Sequence, residues 1–456
     1  MTVQSQVARL LIQKLSEECE GYCILTGYEE LPERFDTDID FMVRASDFAR
    51  VPGLIDAIAA ETGTVLFQAI PHEVSARAFR LAANDANGLA FIQPDSCADY
   101  RHFGKLWLKA DELLAGRRWH PNGFWILGAR HEFIYYLIKR INKRDFAASH
   151  GARLSRLYSE EPQACDGMLR RFWGARSAST LADMAASGDW TRLMQDLQPF
   201  RREMREHSAE KFPANFRSYA MRASHTVERI LQPTGGWIAF IGPDGCGKSS
   251  VIDAVVADFT PAFQKIVRFH LRPKSLPARG NSEVPVTDPH GQPVRGGLFS
   301  IAKMFYLFAD YWLGYLNGVR KETVRTRLVV FDRYFYDILV DPKRVLYGGP
   351  RWLPKVVARL LPRPEMVLLL NALPEVLWSR KQEVRYEEVV RQQRAYLEVA
   401  RGIGNAVVID AARPLTEVVG QVREAILTHF SARTRKRLML TNRSQTGAKS
   451  ASSQAG

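Results

Sequence analysis

The chain has 456 residues, is 46% hydrophobic, 11% aromatic and 25% charged, and carries a net charge of +14 from 63 Lys and Arg against 49 Asp and Glu. That length exceeds one compact core and asks for two or three domains, and the composition excludes fibrous, disordered and disulfide-framework classes. The five cysteines (Cys19, Cys23, Cys97, Cys165, Cys246) form no C-x-x-C pair and fit a reducing, cytoplasmic setting.

The N-terminal segment mixes charge with apolar residues at helical spacing, which predicts a helix over Val7 to Cys19 and no signal peptide. Strands are then expected at Tyr22 to Gly27, Ile39 to Val43, Gly63 to Gln68 and Gly88 to Gln93. Asp38 and Asp40 fall at i and i+2 of a strand, so both side chains share a face within reach of one divalent metal. Gly27 supplies the preceding turn, and Asp95, after Phe91-Ile-Gln-Pro94, is the candidate third carboxylate.

This arrangement resembles the G-…-D-x-D pattern of the nucleotidyltransferase superfamily. The resemblance implies a mixed α/β nucleotidyltransferase-like domain over 1–125 with Asp38, Asp40 and Asp95 as metal ligands. Tyr28 departs from the family's Ser at the turn, and Pro94 argues against a central strand for Asp95. A working transferase, a degenerate version of the fold and chance acidic residues all remain open, with Arg34 and Lys105 as cations that would face the site.

From 126 to 232 the helical runs, such as Phe133 to Ile141 and Met168 to Trp173, predict a helical connector. The turn Gln232-Pro-Thr-Gly-Gly236 opens a region over 233–432 where strands alternate with helices. Its strands are expected at Trp237–Ile241, Lys265–His270, Arg327–Phe331, Met366–Leu370 and Ala406–Ile409, as a doubly wound parallel sheet. The Pro/Gly-rich stretch Arg272–Gly297 is a candidate functional or flexible loop. Leu298 to Val319 is apolar but broken by Lys303 and Asp310, which predicts a buried amphipathic helix, a core element or a homodimer face, and no membrane span.

The sharpest motif is Gly242-Pro-Asp-Gly-Cys-Gly-Lys-Ser249, which matches G-x-x-x-x-G-K-[ST] between an apolar strand and a predicted helix. Such a loop brings backbone N–H groups and a helix N-terminus to polyphosphate oxygens. Gly242, Asp244, Gly245, Cys246, Gly247, Lys248, Ser249 and Ser250 are therefore the candidate ATP-binding residues, with Lys248 on the β- and γ-phosphates and Ser249 on Mg²⁺.

The same residues resemble the G-x-D-G-x-G-K-S/T loop of thymidylate kinases, a P-loop family with the nucleoside monophosphate kinase fold. The resemblance extends through Asp332-Arg333-Tyr334, similar to the family's D-R-[YFH], and through Asn371 to Glu388, similar to its fourth strand and lid. It implies that Asp332 lies by the metal, that Arg333 grips an acceptor phosphate, and that Arg380 or Arg385, with Arg391 and Arg394 beside them, close over the transferred group. Ala411 and Ala412 would lie near the adenine.

Tyr311 stands where the family has an acceptor-binding Arg, and the segment after Tyr334 lacks the family's thymidine-holding turn. The acceptor is accordingly dTMP or a related phosphorylated small molecule, with Arg272 and His270 as further contacts or loop anchors. Two alternatives stand beside kinase activity: nucleotidyl transfer at the N-terminal carboxylates, and ATP binding as a regulatory ligand without turnover. Arg433 to the end holds six cations and no acid, which leaves +8 for the rest and predicts a disordered basic tail over 433–456. Small-molecule phosphates account for the remaining cations, so nucleic acid is not an expected partner.

Overall fold

The computed structural model describes residues 2–35, 38–85, 88–207, 214–276, 296–382 and 384–453. The chain divides into two compact units, one of 1–83, 91–227 and 437–456 and the other of 84–90 and 228–436.

The N-terminal unit is built on seven strands: β1 (Tyr22–Thr26), β2 (Asp38–Val43), β3 (Val65–Glu73), β4 (Ala76–Asp85), β5 (Gly88–Cys97), β8 (Arg118–His120) and β9 (Phe124–Ile126). Their order is β3-β4-β5-β2-β1-β9-β8, with β6 (Tyr100–His102) and β7 (Lys105–Leu108) forming a separate hairpin. Side chains alternate across a strand, so β1 sends Tyr22 and Ile24 to one face and Cys23 and Leu25 to the other. The first face packs on the helices Val3–Glu18 and Val51–Thr62, through Val7, Leu11, Leu15, Ile55 and Ile58.

The second face packs on helix Ala129–Lys143, which turns Phe133, Leu137 and Ile141 inward at helical spacing. The helices that follow, through Met204, share that core. The stretch expected to be a connector thus packs as a layer of the N-terminal unit, where it shares the apolar cover of Cys23, Leu25 and Met42 with Trp107, Leu108, Leu113 and Leu114. Inside this layer the carboxylate of Glu132, fully buried, accepts from the Tyr28 hydroxyl (2.6 Å) and from Arg153 Nε (2.9 Å).

The C-terminal unit holds five strands: β10 (Gly236–Ile241), β11 (Ile266–His270), β12 (Leu328–Asp332), β13 (Met366–Asn371) and β14 (Ala406–Asp410). They run in the order β11-β12-β10-β13-β14 with every ladder parallel. Each lies within a residue of its sequence-predicted span. The central strands are buried on both faces, which explains why they read as continuous apolar runs. Parallel strands also align their carboxyl ends along one edge, where open sheets of this kind bind ligands.

Helix Gly297–Gly314 buries Met304, Leu307 and Tyr311 and leaves Leu298, Phe299 and Phe305 exposed. No helix among the described residues is long and apolar enough to cross a membrane. The Pro/Gly-rich stretch falls largely on 277–295, outside the described residues.

The last helix runs from Leu415 to Ser453, across most of the stretch expected to be a disordered tail. Its first expected tail residue belongs to the fold, since Arg433 donates to the carbonyls of Gly235 (2.8 Å) and Thr234 (3.2 Å) and pairs with Glu365. Burial alone would raise the Glu365 pKa, but hydrogen bonds from His429 and Arg433 and their charges bring it below its ordinary value. Arg433→Ala should therefore destabilise the C-terminal unit by about 1–3 kcal/mol, measured by urea unfolding, and an unchanged midpoint would show these contacts contribute nothing.

Candidate functional site at the phosphate-binding loop

Strand β10 ends at Ile241, and the loop 242–247 leads directly into helix Lys248–Phe259. Gly242, Gly245 and Gly247 all take positive φ, of 149°, 83° and 82°. At Gly242 an added Cβ would stand 2.4 Å from the Leu370 carbonyl, and at Gly245 2.7 Å from that of Leu377, so both positions exclude a side chain. The helix starts at Gly247 without a side-chain cap, which leaves its first-turn N–H groups to whatever ligand meets them. The Ser249 and Ser250 side chains there are exposed.

Lys248 is buried and folded back on its own loop, with Nζ donating to the carbonyls of Gly242 and Pro243 at 2.8 Å each and lying 3.5 Å from Cys246 Sγ. To hold a phosphate it must give up those carbonyls. Asp332 closes strand β12 beside β10, in register with Phe240 on one side and His270 on the other. Its Oδ2 lies 3.6 Å from His270 Nδ1. Burial works to raise the Asp332 pKa, but the hydrogen bond and charge of His270, with Arg333 and Lys248, bring it below its ordinary value. It is a carboxylate suited to a cation.

Arg333 is engaged by carboxylates of its own chain. It is buried, adopts a left-handed φ of 70°, and places Nη1 3.0 Å from Asp337 Oδ1 and Nη2 on Asp244 Oδ1. Each end of the guanidinium thus holds a carboxylate. Asp337 is fully buried and also accepts from the Tyr396 hydroxyl (2.7 Å) and the Tyr334 N–H (3.1 Å).

Asp244, expected to contact the nucleotide, instead holds Arg333 and Arg344, the latter at 2.7 Å. Burial pushes the Asp244 carboxyl up, yet the charges of Arg333, Arg344 and Lys248 hold it well below the usual carboxylate range. Sequence reading missed Asp337, Arg344 and Tyr396. The i, i+4 spacing of Arg333 and Asp337 on a helix start was the one available signal.

Arg380 donates to the carbonyls of Ala411 (2.8 Å) and Ala412 (3.3 Å), which makes it an anchor for the segment after β14 in place of a free lid cation. Arg391 is similarly held, by Glu388 and the Val340 carbonyl. Arg385 and Arg394 have exposed side chains with no partner among the described residues. Arg272 binds the Tyr306 hydroxyl (2.9 Å) and lies 3.3 Å from the fully buried Asp310, so it anchors its loop. Tyr311 packs edge-on against Tyr334 and Phe335, within the core.

In the N-terminal unit the three expected carboxylates do meet on one sheet face. Strands β2 and β5 are parallel, with Asp40 opposite Asp95 and Asp38 opposite Gln93, and Gly27 makes the preceding turn at a φ of 71°. Pro94 lies inside β5, opposite Ile39, contrary to the expectation that it keeps Asp95 out of a central strand. Lys139, from helix Ala129–Lys143, sets Nζ 2.9 Å from Asp40 Oδ2, and the Thr26 hydroxyl donates to the same oxygen at 2.9 Å.

Burial would raise the Asp40 pKa, but Lys139 and Thr26 bring it below its ordinary value. Asp95 is pushed up to about 7, by burial first and then by the Asp40 and Asp38 charges. Among the described residues no group of three His, Cys, Asp or Glu is arranged to hold a metal ion. Arg34 pairs with exposed Glu30 (3.5 Å), and Lys105 reaches the Arg205 carbonyl (3.4 Å).

A solved thymidylate kinase from Ehrlichia chaffeensis aligns with this chain at 13% identity and a TM-score of 0.32, over 42% of this chain and 98% of that one. No protein-family model matches the chain, and no curated protein matches it.

Removing one partner from a buried ion pair strands the other charge. Asp337→Ala should therefore destabilise the C-terminal unit by about 3–5 kcal/mol by denaturant titration, and Asp337→Asn by less, since its amide oxygen still accepts from Tyr396. At Asp95 the folded pKa lies above the unfolded value near 4, so the folded state binds the extra proton between them. The stability this contributes is complete below about pH 4 and is lost as pH rises through about 7. Thermal unfolding of wild type against Asp95→Asn should show that slope in the first and not in the second; equal slopes would refute the assignment.

Proposed function

We propose that the C-terminal unit is an ATP-dependent phosphotransferase of the nucleotide-kinase kind, acting on a phosphorylated small molecule. The observation that carries this reading is the uncapped helix start at Gly247, reached from a central parallel strand through three positive-φ glycines, with Asp332 on the neighbouring strand end. The donor set fits Mg·ATP: unpaired N–H groups and a lysine for phosphate oxygens, an exposed Ser249 hydroxyl and the ionised Asp332 for the metal.

Mg·ATP, when bound, supplies the phosphoryl group and most of its charge neutralisation. The chain's own part is positioning. The loop N–H groups of 245–250 would hold the phosphate chain, Lys248 would leave the Gly242 and Pro243 carbonyls for its oxygens, and Ser249 and Asp332 would hold the metal. Arg333 acts at one remove, fixing Asp244 and hence the loop's shape, while Arg385 is the exposed cation that a closing lid brings over the site.

The test is transfer from γ-labelled ATP to a panel of nucleoside monophosphates and phosphorylated sugars by wild type and Lys248→Ala. Wild type should label at least one acceptor, and Lys248→Ala should lose at least about a hundredfold in rate. Wild-type turnover in the variant would overturn the proposal.

A further inference from the structure

Beside the ion network of Arg333 lies a cleft of 710 Å³, walled by helix Tyr336–Val340, the turn Pro342–Val345, the start of helix Trp352–Leu360 and helix Tyr386–Arg401. That volume falls in the range of small-molecule sites, roughly 300–1,000 Å³. Its charge is lopsided. Lys343, Arg351, Lys355 and Arg391 line it against two carboxylates, Asp341 and Glu388.

Both carboxylates have an arginine beside them, Glu388 hydrogen-bonded and Asp341 at ion-pair distance. Glu388 holds Arg391, with Oε2 2.8 Å from Nε and Oε1 2.6 Å from Nη2, and Asp341 Oδ2 lies 3.8 Å from Arg344 Nε. Lys343, Arg351 and Lys355 have exposed side chains and no ion pair among the described residues. Three unneutralised cations around one concavity repel each other, an arrangement that an anion relieves. The lining also includes Ile338, the buried Tyr347 ring and Pro354, so the cleft offers an apolar surface beside the charge.

The cleft and the phosphate-binding loop share Arg344 as one tie. Arg344, the neighbour of Lys343 in the same turn, holds Asp244 of the loop at 2.7 Å. The arginine that the sequence assigned to an acceptor phosphate is committed at both ends to Asp244 and Asp337. The cleft offers an anionic acceptor counter-charge without disturbing those pairs.

We infer that this cleft is a second anion site, formed by Lys343, Arg351 and Lys355, which binds the phosphate of a phosphorylated small-molecule acceptor. Calling its ligand the acceptor rests on the kinase reading above; the anion site itself does not. Charge-assisted hydrogen bonds from three cations make this the stronger part of the acceptor's recognition, and the apolar wall takes the body of the molecule.

The experiment is calorimetric titration of the full chain with inorganic pyrophosphate. Wild type should show two classes of site, one at the loop and one at the cleft. Lys248→Ala, or wild type presaturated with Mg·ADP, should keep the cleft class alone. The triple variant Lys343→Gln/Arg351→Gln/Lys355→Gln changes only exposed side chains, so it should fold and bind Mg·ADP as wild type does while its cleft class weakens about tenfold or more. A single class that Mg·ADP abolishes, or a triple variant that binds pyrophosphate as wild type does, overturns the inference. Absence of Mg·ADP binding by wild type, with the cleft class present, would instead count against the kinase reading and leave the anion site standing.

Discussion

A guanidinium in a dry place cannot be left unmatched, and the C-terminal unit is arranged around that constraint at Arg333. One end meets Asp244 of the phosphate-binding loop and the other meets Asp337, which in turn takes a hydroxyl from Tyr396 and an N–H from Tyr334. Through these few groups the loop, the end of β12, the helix that follows it and helix Tyr386–Arg401 are fixed to one another. A desolvated charge pair adds little net stability over an apolar pair, but a half-broken one is expensive, so geometry here is enforced by the penalty for departing from it. The left-handed backbone at Arg333 is tolerated for the same reason: its N–H bonds the Phe240 carbonyl at 2.9 Å and the side chain is pinned at both ends.

That constraint sorts the cations of the unit into two populations. Arg333, Arg344, Arg380, Arg391 and Arg433 are committed to carboxylates or to carbonyls at strand and helix ends. Lys343, Arg351, Lys355, Arg385 and Arg394 are exposed without a partner among the described residues. Net charge cannot tell these populations apart. Three members of the second line one cleft, where they can meet an incoming anion without breaking an existing pair.

The N-terminal unit meets a related problem with the opposite sign. Asp38, Asp40 and Asp95 share one face of adjacent strands, and such a cluster demands a counter-charge. Lys139 supplies it, from a helix that lies about a hundred residues further along the chain and packs over the same sheet face. The proton that Asp95 retains toward neutral pH is the other half of the neutralisation.

The sequence by itself determined the five parallel strands, because strands buried on both faces must be apolar throughout. It determined the phosphate-binding loop, because glycines with positive φ at 242, 245 and 247 are a local backbone requirement. The coplanar carboxylates of β2 were legible too, from a period of two. Tertiary structure alone decided which charges face one another. Asp244 with Arg333 and Arg344, Asp40 with Lys139, and Arg433 with Glu365 are pairings across tens of residues or more, and no local pattern encodes them. The same holds for the helices after residue 126, whose amphipathic faces announced a partner without naming the sheet they cover.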